Sequence, residues 1–256
     1  MQNLFSIAGK TALVTGGSRG IGAMIARGYV EHGARVYICS RKAEVCDATA
    51  AELSALGTCV SLPADLSKMS EIDRVVNELG ARESQLDILV NNAGATWGAT
   101  IDEFPEQGWD KVMDLNVKSI FFLTQRCLGL LDASASAADP ARVINIGSID
   151  GMRLSAFENF SYSASKAAVH HLTRMSAVRL AARNITVNAI APGPFHTAMM
   201  APMIEKMGEE ILESVPLHRF GGAEDAAGLA VFLASRAAAY MTGTVIPLDG
   251  GITAAG

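Results

Sequence analysis

The chain is short of thiols, charge and long apolar runs, and each shortage removes a class of function. Its four cysteines, Cys39, Cys46, Cys59 and Cys127, form no C-x-x-C pair, which argues against a zinc site and a redox dithiol and leaves buried thiols as the expectation. Cys39 falls inside the apolar run Val36 to Cys39, where a thiol behaves as a small hydrophobe. His170 and His171 are adjacent and face different sides of a predicted helix, so no metal is expected. Charged residues make up only 18% and sum to −5, which leaves no basic footprint for nucleic acid or an anionic membrane and points to a small-molecule partner. No apolar stretch approaches membrane-spanning length, and Met1 to Lys10 lack a basic cluster followed by an apolar core. The expected location is therefore cytoplasmic. No repeat of fixed period is present.

What the chain does have is alternation. Short β-branched runs at Thr11 to Val14, Ala34 to Cys39, Thr58 to Pro63, Ile88 to Asn91, Arg142 to Ile146, Thr186 to Ala189 and Thr244 to Pro247 are separated by helical patterns. Those patterns cover Ile21 to Glu31, Val45 to Leu56, Ile72 to Leu79, Trp109 to Leu130, Tyr162 to Ala182 and Ala223 to Leu233. Repeated βα units with low charge and an apolar half imply a sheet buried on both faces. The expected fold is α/β: a single Rossmann-type doubly wound domain over residues 1–256, with a seven-stranded parallel sheet flanked by helices on both faces. Asp132 to Pro140 reads as an exposed connection.

The segment Thr15-Gly16-Gly17-Ser18-Arg19-Gly20-Ile21-Gly22 lies between the first strand and the first helix. Glycines there allow a sharp turn and close backbone approach, and the free N–H groups of the helix start attract phosphate. Farther on, Tyr162 and Lys166 are one helical turn apart, so a lysine ammonium could lower the tyrosine pKa. Ser148 follows the strand ending at Ile146 and the flexible Gly147, which brings its hydroxyl to the same sheet edge as the glycine loop.

Together these motifs resemble the short-chain dehydrogenase/reductase family over essentially the whole chain. Thr-Gly-x-x-x-Gly-Ile-Gly is met by Thr15 to Gly22, Asn-Asn-Ala-Gly by Asn91 to Gly94, the catalytic asparagine by Asn116, the serine by Ser148, and Tyr-x-x-x-Lys by Tyr162 and Lys166. Pro192-Gly193 and Asp249-Gly250-Gly251 match later family segments. The resemblance implies that Ser148 binds a substrate carbonyl, Tyr162 passes it a proton, and a nicotinamide delivers hydride. It also implies that Lys166 binds the nicotinamide ribose and lowers the Tyr162 pKa, with Asn116 supporting proton resupply. Cofactor contacts are implied at Gly16, Ser18, Arg19, Gly20, Ile21, Gly22, Ser40, Arg41, Asp65, Leu66, Asn92, Ala93, Gly94, Tyr162, Lys166, Pro192, Gly193, Phe195 and Thr197. A non-catalytic nucleotide sensor is disfavoured because Ser148, Tyr162 and Lys166 are all intact.

The second strand ends Cys39-Ser40-Arg41-Lys42, with no carboxylate to hold an adenosine 2′-hydroxyl and with Arg41 and Arg19 available to a 2′-phosphate. NADPH/NADP is therefore the expected cofactor, unless both arginines are merely solvated. Residues 91–98, 140–148 and 240–251 look like those of bacterial 3-oxoacyl reductases, so a 3-oxoacyl thioester is the first substrate candidate; steroids, quinones, polyols and simple ketones are alternatives. Residues 192–216 carry Phe195, Met199, Met200, Met203, Ile204 and Met207 and read either as a substrate lid or as core or subunit contact. Trp97, Phe157 and Phe160 could line an apolar slot or simply pack. The Ser148-to-Tyr162 separation is one residue longer than in many relatives. Trp109 to Leu130, Tyr162 to Ala182 and the last strand suit the family's homotetramer.

Overall fold

A computed structural model describes residues 3–255; Met1, Gln2 and Gly256 lie outside the described residues. All seven expected strands form: β1 (Thr11–Thr15), β2 (Arg35–Cys39), β3 (Cys59–Ser61), β4 (Ile88–Asn91), β5 (Ala141–Ile146), β6 (Ile185–Pro192) and β7 (Val245–Leu248). They make one sheet in the order β3-β2-β1-β4-β5-β6-β7, every pair parallel. Between them lie α1 (Gly20–Glu31), α2 (Ala43–Ser54), α3 (Met69–Arg82), α4 (Glu106–Met113), α5 (Ser119–Ser134), α6 (Phe160–Leu180), α7 (Ala201–Ser214) and α8 (Ala223–Ala234), with α9 (Ile252–Ala255) closing the described chain.

Alternation along each strand sends side chains into two separate cores. Ala12, Val14, Val36, Ile38, Ile88 and Val90 pack on α1 and α8, whereas Leu13, Tyr37, Leu89, Val143 and Val187 pack on residues of α3, α5 and α6. Central strands are thus buried on both sides, the environment that parallel sheets require. Truncating one such residue, for example Leu89, which is fully buried, to alanine would cost about 3 kcal/mol.

Strand order reverses between β1 and β4. The chain leaves these neighbours toward opposite ends of the sheet, so a crevice opens at their carboxyl ends, where ligands of doubly wound sheets bind. Local details differ from the sequence reading at three places. The single helix expected over Trp109 to Leu130 is interrupted by a π-helical turn at Asp114–Lys118, between α4 and α5. β6 continues to Pro192 because it is paired with Leu248 of β7, and proline is tolerated at such a strand end. The connection after α5 is only partly solvent-facing: Asp139 bridges Lys10 (2.8 Å) and the buried Arg142 (3.1 Å).

Candidate active site

A cavity of about 750 Å³ occupies the crevice. Gly16, Ser18, Arg19, Gly20 and Ile21 form one wall, and Asn92, Ala93 and Gly94 another. At Gly16 (φ +63°) and Gly20 (φ +56°) the backbone is left-handed, and a Cβ on Gly16 would stand 2.6 Å from Asn92 Nδ2, so only glycine fits this turn without strain. Two polar clasps hold it. Thr15 Oγ1 accepts from the N–H groups of Asn92 (2.9 Å) and Ala93 (3.0 Å), and Asn92 Nδ2 donates to Thr15 O (2.8 Å). Thr15 acts from beneath the loop, a role that its position in the motif did not disclose.

The groove suits phosphate chemically. α1 begins with no side-chain cap and no acidic residue in its first turn, leaving its N–H groups free for an anion. Arg19, Arg41, Lys42, Lys111 and Lys166 line the cavity while no aspartate or glutamate does, although the whole chain is acidic. The Ser40 hydroxyl is buried among them without a partner, as expected of a group reserved for a ligand. Val45, Leu66 and Leu115 provide an apolar patch nearby.

At the other end of the cavity α6 presents Tyr162 and Lys166. Lys166 is buried and its Nζ donates to Ile146 O at 2.8 Å. That nitrogen sits 5.5 Å from the centroid of the Tyr162 ring. Burial pushes the Lys166 pKa down to about 8. The Tyr162 phenol is pushed up to about 12, first by burial, with the Ser148 hydroxyl opposing the rise and the Asp150 carboxylate adding to it. The expectation that Lys166 lowers the phenol is thus not met in this geometry. The ammonium lies over the ring and is engaged by a strand carbonyl, so desolvation dominates.

Ser148 lies just behind the cavity wall, 7% exposed, and its Oγ accepts from Asp150 N–H at 3.1 Å, which leaves the hydroxyl proton free to point elsewhere. Its loop rests on His170. A Cβ added to Gly147 would come within 2.2 Å of His170 Nε2, and one on Gly151 within 2.9 Å of Cε1. This imidazole, one turn beyond Lys166, is buried, and desolvation holds its pKa down at about 4.

Asn116 is fully buried within the π-helical turn and does not reach the cavity. Its Oδ1 accepts from Ala95 N–H (2.8 Å), and its Nδ2 donates to Ala95 O (3.0 Å) and Ser165 Oγ (2.9 Å). The costly buried amide is therefore satisfied, and it fixes the strand-end loop to α6.

Four other expected contacts also lie off the cavity wall. Gly22 is packed against Gly16 O and Asn92. Asp65 turns back on its own loop, accepting from Ser67 N–H and Oγ. Gly193 backs onto Asp249. Phe195 is 2% exposed against Gly221, where a Cβ would stand 2.4 Å from its ring; it is a core residue ahead of α7 and no part of a Met-rich helical stripe. Pro192, Thr197 and Met199 do line the cavity. Trp97 and Phe160 do not: the Trp97 ring lies under Lys111 Nζ (5.0 Å), and Phe160 packs edge-on to Phe104 (5.9 Å). Lys42, Lys111 and Leu115 line the cavity unforeseen, because only the folded sheet edge brings the start of α2, α4 and the π-helical turn to it.

Comparison with known proteins agrees with this layout. Residues 16–253 match the family model described as enoyl-(acyl carrier protein) reductase. The chain is 51% identical to the rhamnolipids biosynthesis 3-oxoacyl-[acyl-carrier-protein] reductase of Pseudomonas aeruginosa, covering 98% of this chain and 99% of that protein. It is 38% identical to the 2-dehydro-3-deoxy-D-gluconate 5-dehydrogenase of Bacillus subtilis, covering 98% and 97%. Among solved structures, the Pseudomonas aeruginosa RhlG/NADP active-site complex superimposes with a TM-score of 0.93 at 50% identity, covering 99% of this chain and 100% of that one. With fold, cavity and whole-length similarity in agreement, the chain belongs to the short-chain dehydrogenase/reductase family.

Proposed function

We propose that this protein is an NADPH-dependent reductase that converts a 3-oxoacyl thioester to the 3-hydroxyacyl thioester. The observation that carries the reading is one cavity with cations and no carboxylate at its glycine-loop end and Tyr162 beside Lys166 at the other. Similarity over the full length to a 3-oxoacyl-[acyl-carrier-protein] reductase supports the substrate class. In this reading Gly16, Ser18, Arg19, Gly20 and Ile21 hold the pyrophosphate. Ser40 and Arg41, with Lys42, receive the 2′-phosphate, where charge-assisted hydrogen bonds from arginine are strong and directional. Asn92, Ala93, Gly94 and Lys166 hold the riboses, and Leu66 lies beside the adenine. When bound, the reduced nicotinamide supplies hydride for the carbonyl carbon.

The protein's part is to bind, orient and protonate. Ser148 donates its free hydroxyl proton as a hydrogen bond to the carbonyl oxygen, and Tyr162 Oη transfers a proton to the same oxygen as negative charge develops. A phenol whose pKa stands near 12 is fully protonated at neutral pH, the form that reduction needs. Lys166 keeps its charge below about pH 8, so binding through its ammonium weakens as pH rises beyond that value. Asn116 holds Ala95, and with it the wall beside the reacting carbonyl. Residues 192–216, including Met199 on the cavity wall, serve as the lid over the acyl chain.

Following NADPH oxidation with acetoacetyl and longer 3-oxoacyl thioesters tests the reading; no turnover at any chain length overturns it. A second reading, oxidation of a sugar acid or polyol, has the similarity to the gluconate-type dehydrogenase in its favour, and turnover of gluconate derivatives in preference to thioesters would select it. We extend the proposal to a cytoplasmic homotetramer: Phe121 on α5 and Met175 and Val178 on α6 are exposed apolar residues that helix pairing would cover. Light scattering reads the assembly directly.

A further inference from the structure

The loop that joins β5 to α6 connects the two residues on which reduction depends, Ser148 at its start and Tyr162 just past its end. It carries exposed apolar side chains, Met152 and Leu154, and so gains little from burial. It is held by polar contacts that converge on one carboxylate. Asp150 Oδ2 accepts from Asn159 Nδ2 at 3.0 Å and from Ser155 Oγ at 3.3 Å. Asn159 immediately precedes α6 and its Oδ1 accepts from Ser163 Oγ at 2.8 Å, while Ser155 Oγ also accepts from Phe157 N–H at 3.1 Å. The backbone N–H of the same Asp150 donates to Ser148 Oγ at 3.1 Å. One residue thus touches the serine through its main chain and the first turn of the tyrosine-bearing helix through its side chain.

We propose that Asp150 is a positioning residue for the reaction, its carboxylate tying the Ser148 loop to the start of α6 and so setting the separation of the Ser148 and Tyr162 hydroxyls. This rests on the reductase reading for its kinetic consequences but not for its structural ones. Because both side-chain bonds end on a single oxygen, an asparagine can reproduce them with its amide carbonyl, whereas an alanine cannot. The two substitutions therefore separate geometry from charge. The groups facing Tyr162 are Lys166 from its own helix and Ser148 and Asp150 from the loop, with Lys111 across the cavity and His170 behind Lys166. Of these Asp150 is the anion, and its charge favours the neutral phenol.

The test compares D150A and D150N in the full-length protein. Hydrogen exchange on the ligand-free protein should show faster exchange in residues 149–163 of D150A and near-wild-type exchange in D150N. In steady-state reduction of a 3-oxoacyl thioester, D150A should lose about tenfold or more in kcat with an unchanged KM for NADPH, and D150N should recover most of it. In the reverse oxidation of a 3-hydroxyacyl thioester, where Tyr162 must accept a proton, the rise of rate with pH should begin about half a pH unit lower in D150N. Wild-type exchange in D150A, or equal kcat values for D150A and wild type, would each overturn the inference, whereas an unmoved pH profile in D150N would leave the carboxylate a purely geometric tie. Loss of turnover in the wild type itself would instead refute the reductase reading, while the exchange measurement would still decide the role of Asp150.

Discussion

The two ends of the cavity are built on different principles. The glycine-loop end rests on strand termini and is clamped by the Thr15 and Asn92 side chains through hydrogen bonds of 2.8–3.0 Å to the backbone; substitution of Gly16 would force a Cβ into Asn92. The other end is bordered by Thr197, Ala198 and Met199, which lead into α7, a helix with no fully buried residue and a break at Met207 (φ −148°). The first end can hold one shape of ligand, whereas the second can re-pack. The difference teaches that cofactor and reaction are written into the rigid part, while substrate range is left to parts that few contacts restrain.

Tyr162→Phe sets the boundary between the ends and should have the largest effect: a fall in kcat of about 10³-fold, with NADPH binding measured by fluorescence titration within about twofold of wild type. Loss of binding in parallel would mean that the two ends are not separable. Next in size is an acid effect on the shared support. The folded pKa of His170 lies near 4, below its ordinary 6.5, so its contribution to stability is complete above pH 6.5 and is lost as pH falls toward 4. That loss amounts to about 3 kcal/mol. Denaturant melts at pH 7 and pH 4.5 should show His170→Gln flattening this dependence.

Removing the cations from the rigid end, Arg19→Ala with Arg41→Ala, should raise KM for NADPH about tenfold or more and leave KM for NADH nearly unchanged; equal losses for both coenzymes would place these arginines outside the 2′-phosphate site. The smallest effect is expected at the adaptable end. Met199→Ala should alter KM for long 3-oxoacyl thioesters by about threefold and leave acetoacetyl thioesters unaffected. A large change for both would show the segment leading into α7 to be as restrained as the glycine loop.

Legibility in the sequence divides along the same line. Strand runs, the glycine loop and the Tyr162–Lys166 spacing are local patterns, and each formed where its period and spacing place it. The clasp by Thr15, the burial of Phe195 against Gly221 and the contact of Lys111 with Trp97 join residues far apart in the chain, and no local signal announces them. Likewise, an i,i+4 spacing places a lysine beside a tyrosine but not on its phenolic oxygen; the carbonyl of Ile146 decides where the ammonium goes. The direction of the Tyr162 shift was illegible for that reason, since burial outweighs a cation lying over the ring.

The widened turn at Asp114–Lys118 gives this region an unusual sensitivity to length. A π turn holds one extra residue within an otherwise regular helix, and here that extra residue lets Asn116 project sideways to grip both polar atoms of Ala95. Deleting a single residue from 114–118 would restore regular winding with α4 and α5 still in their present relation, yet release that grip while every strand stayed in place. A helix of ordinary pitch would run equally well here, but it would leave Ala95 unheld.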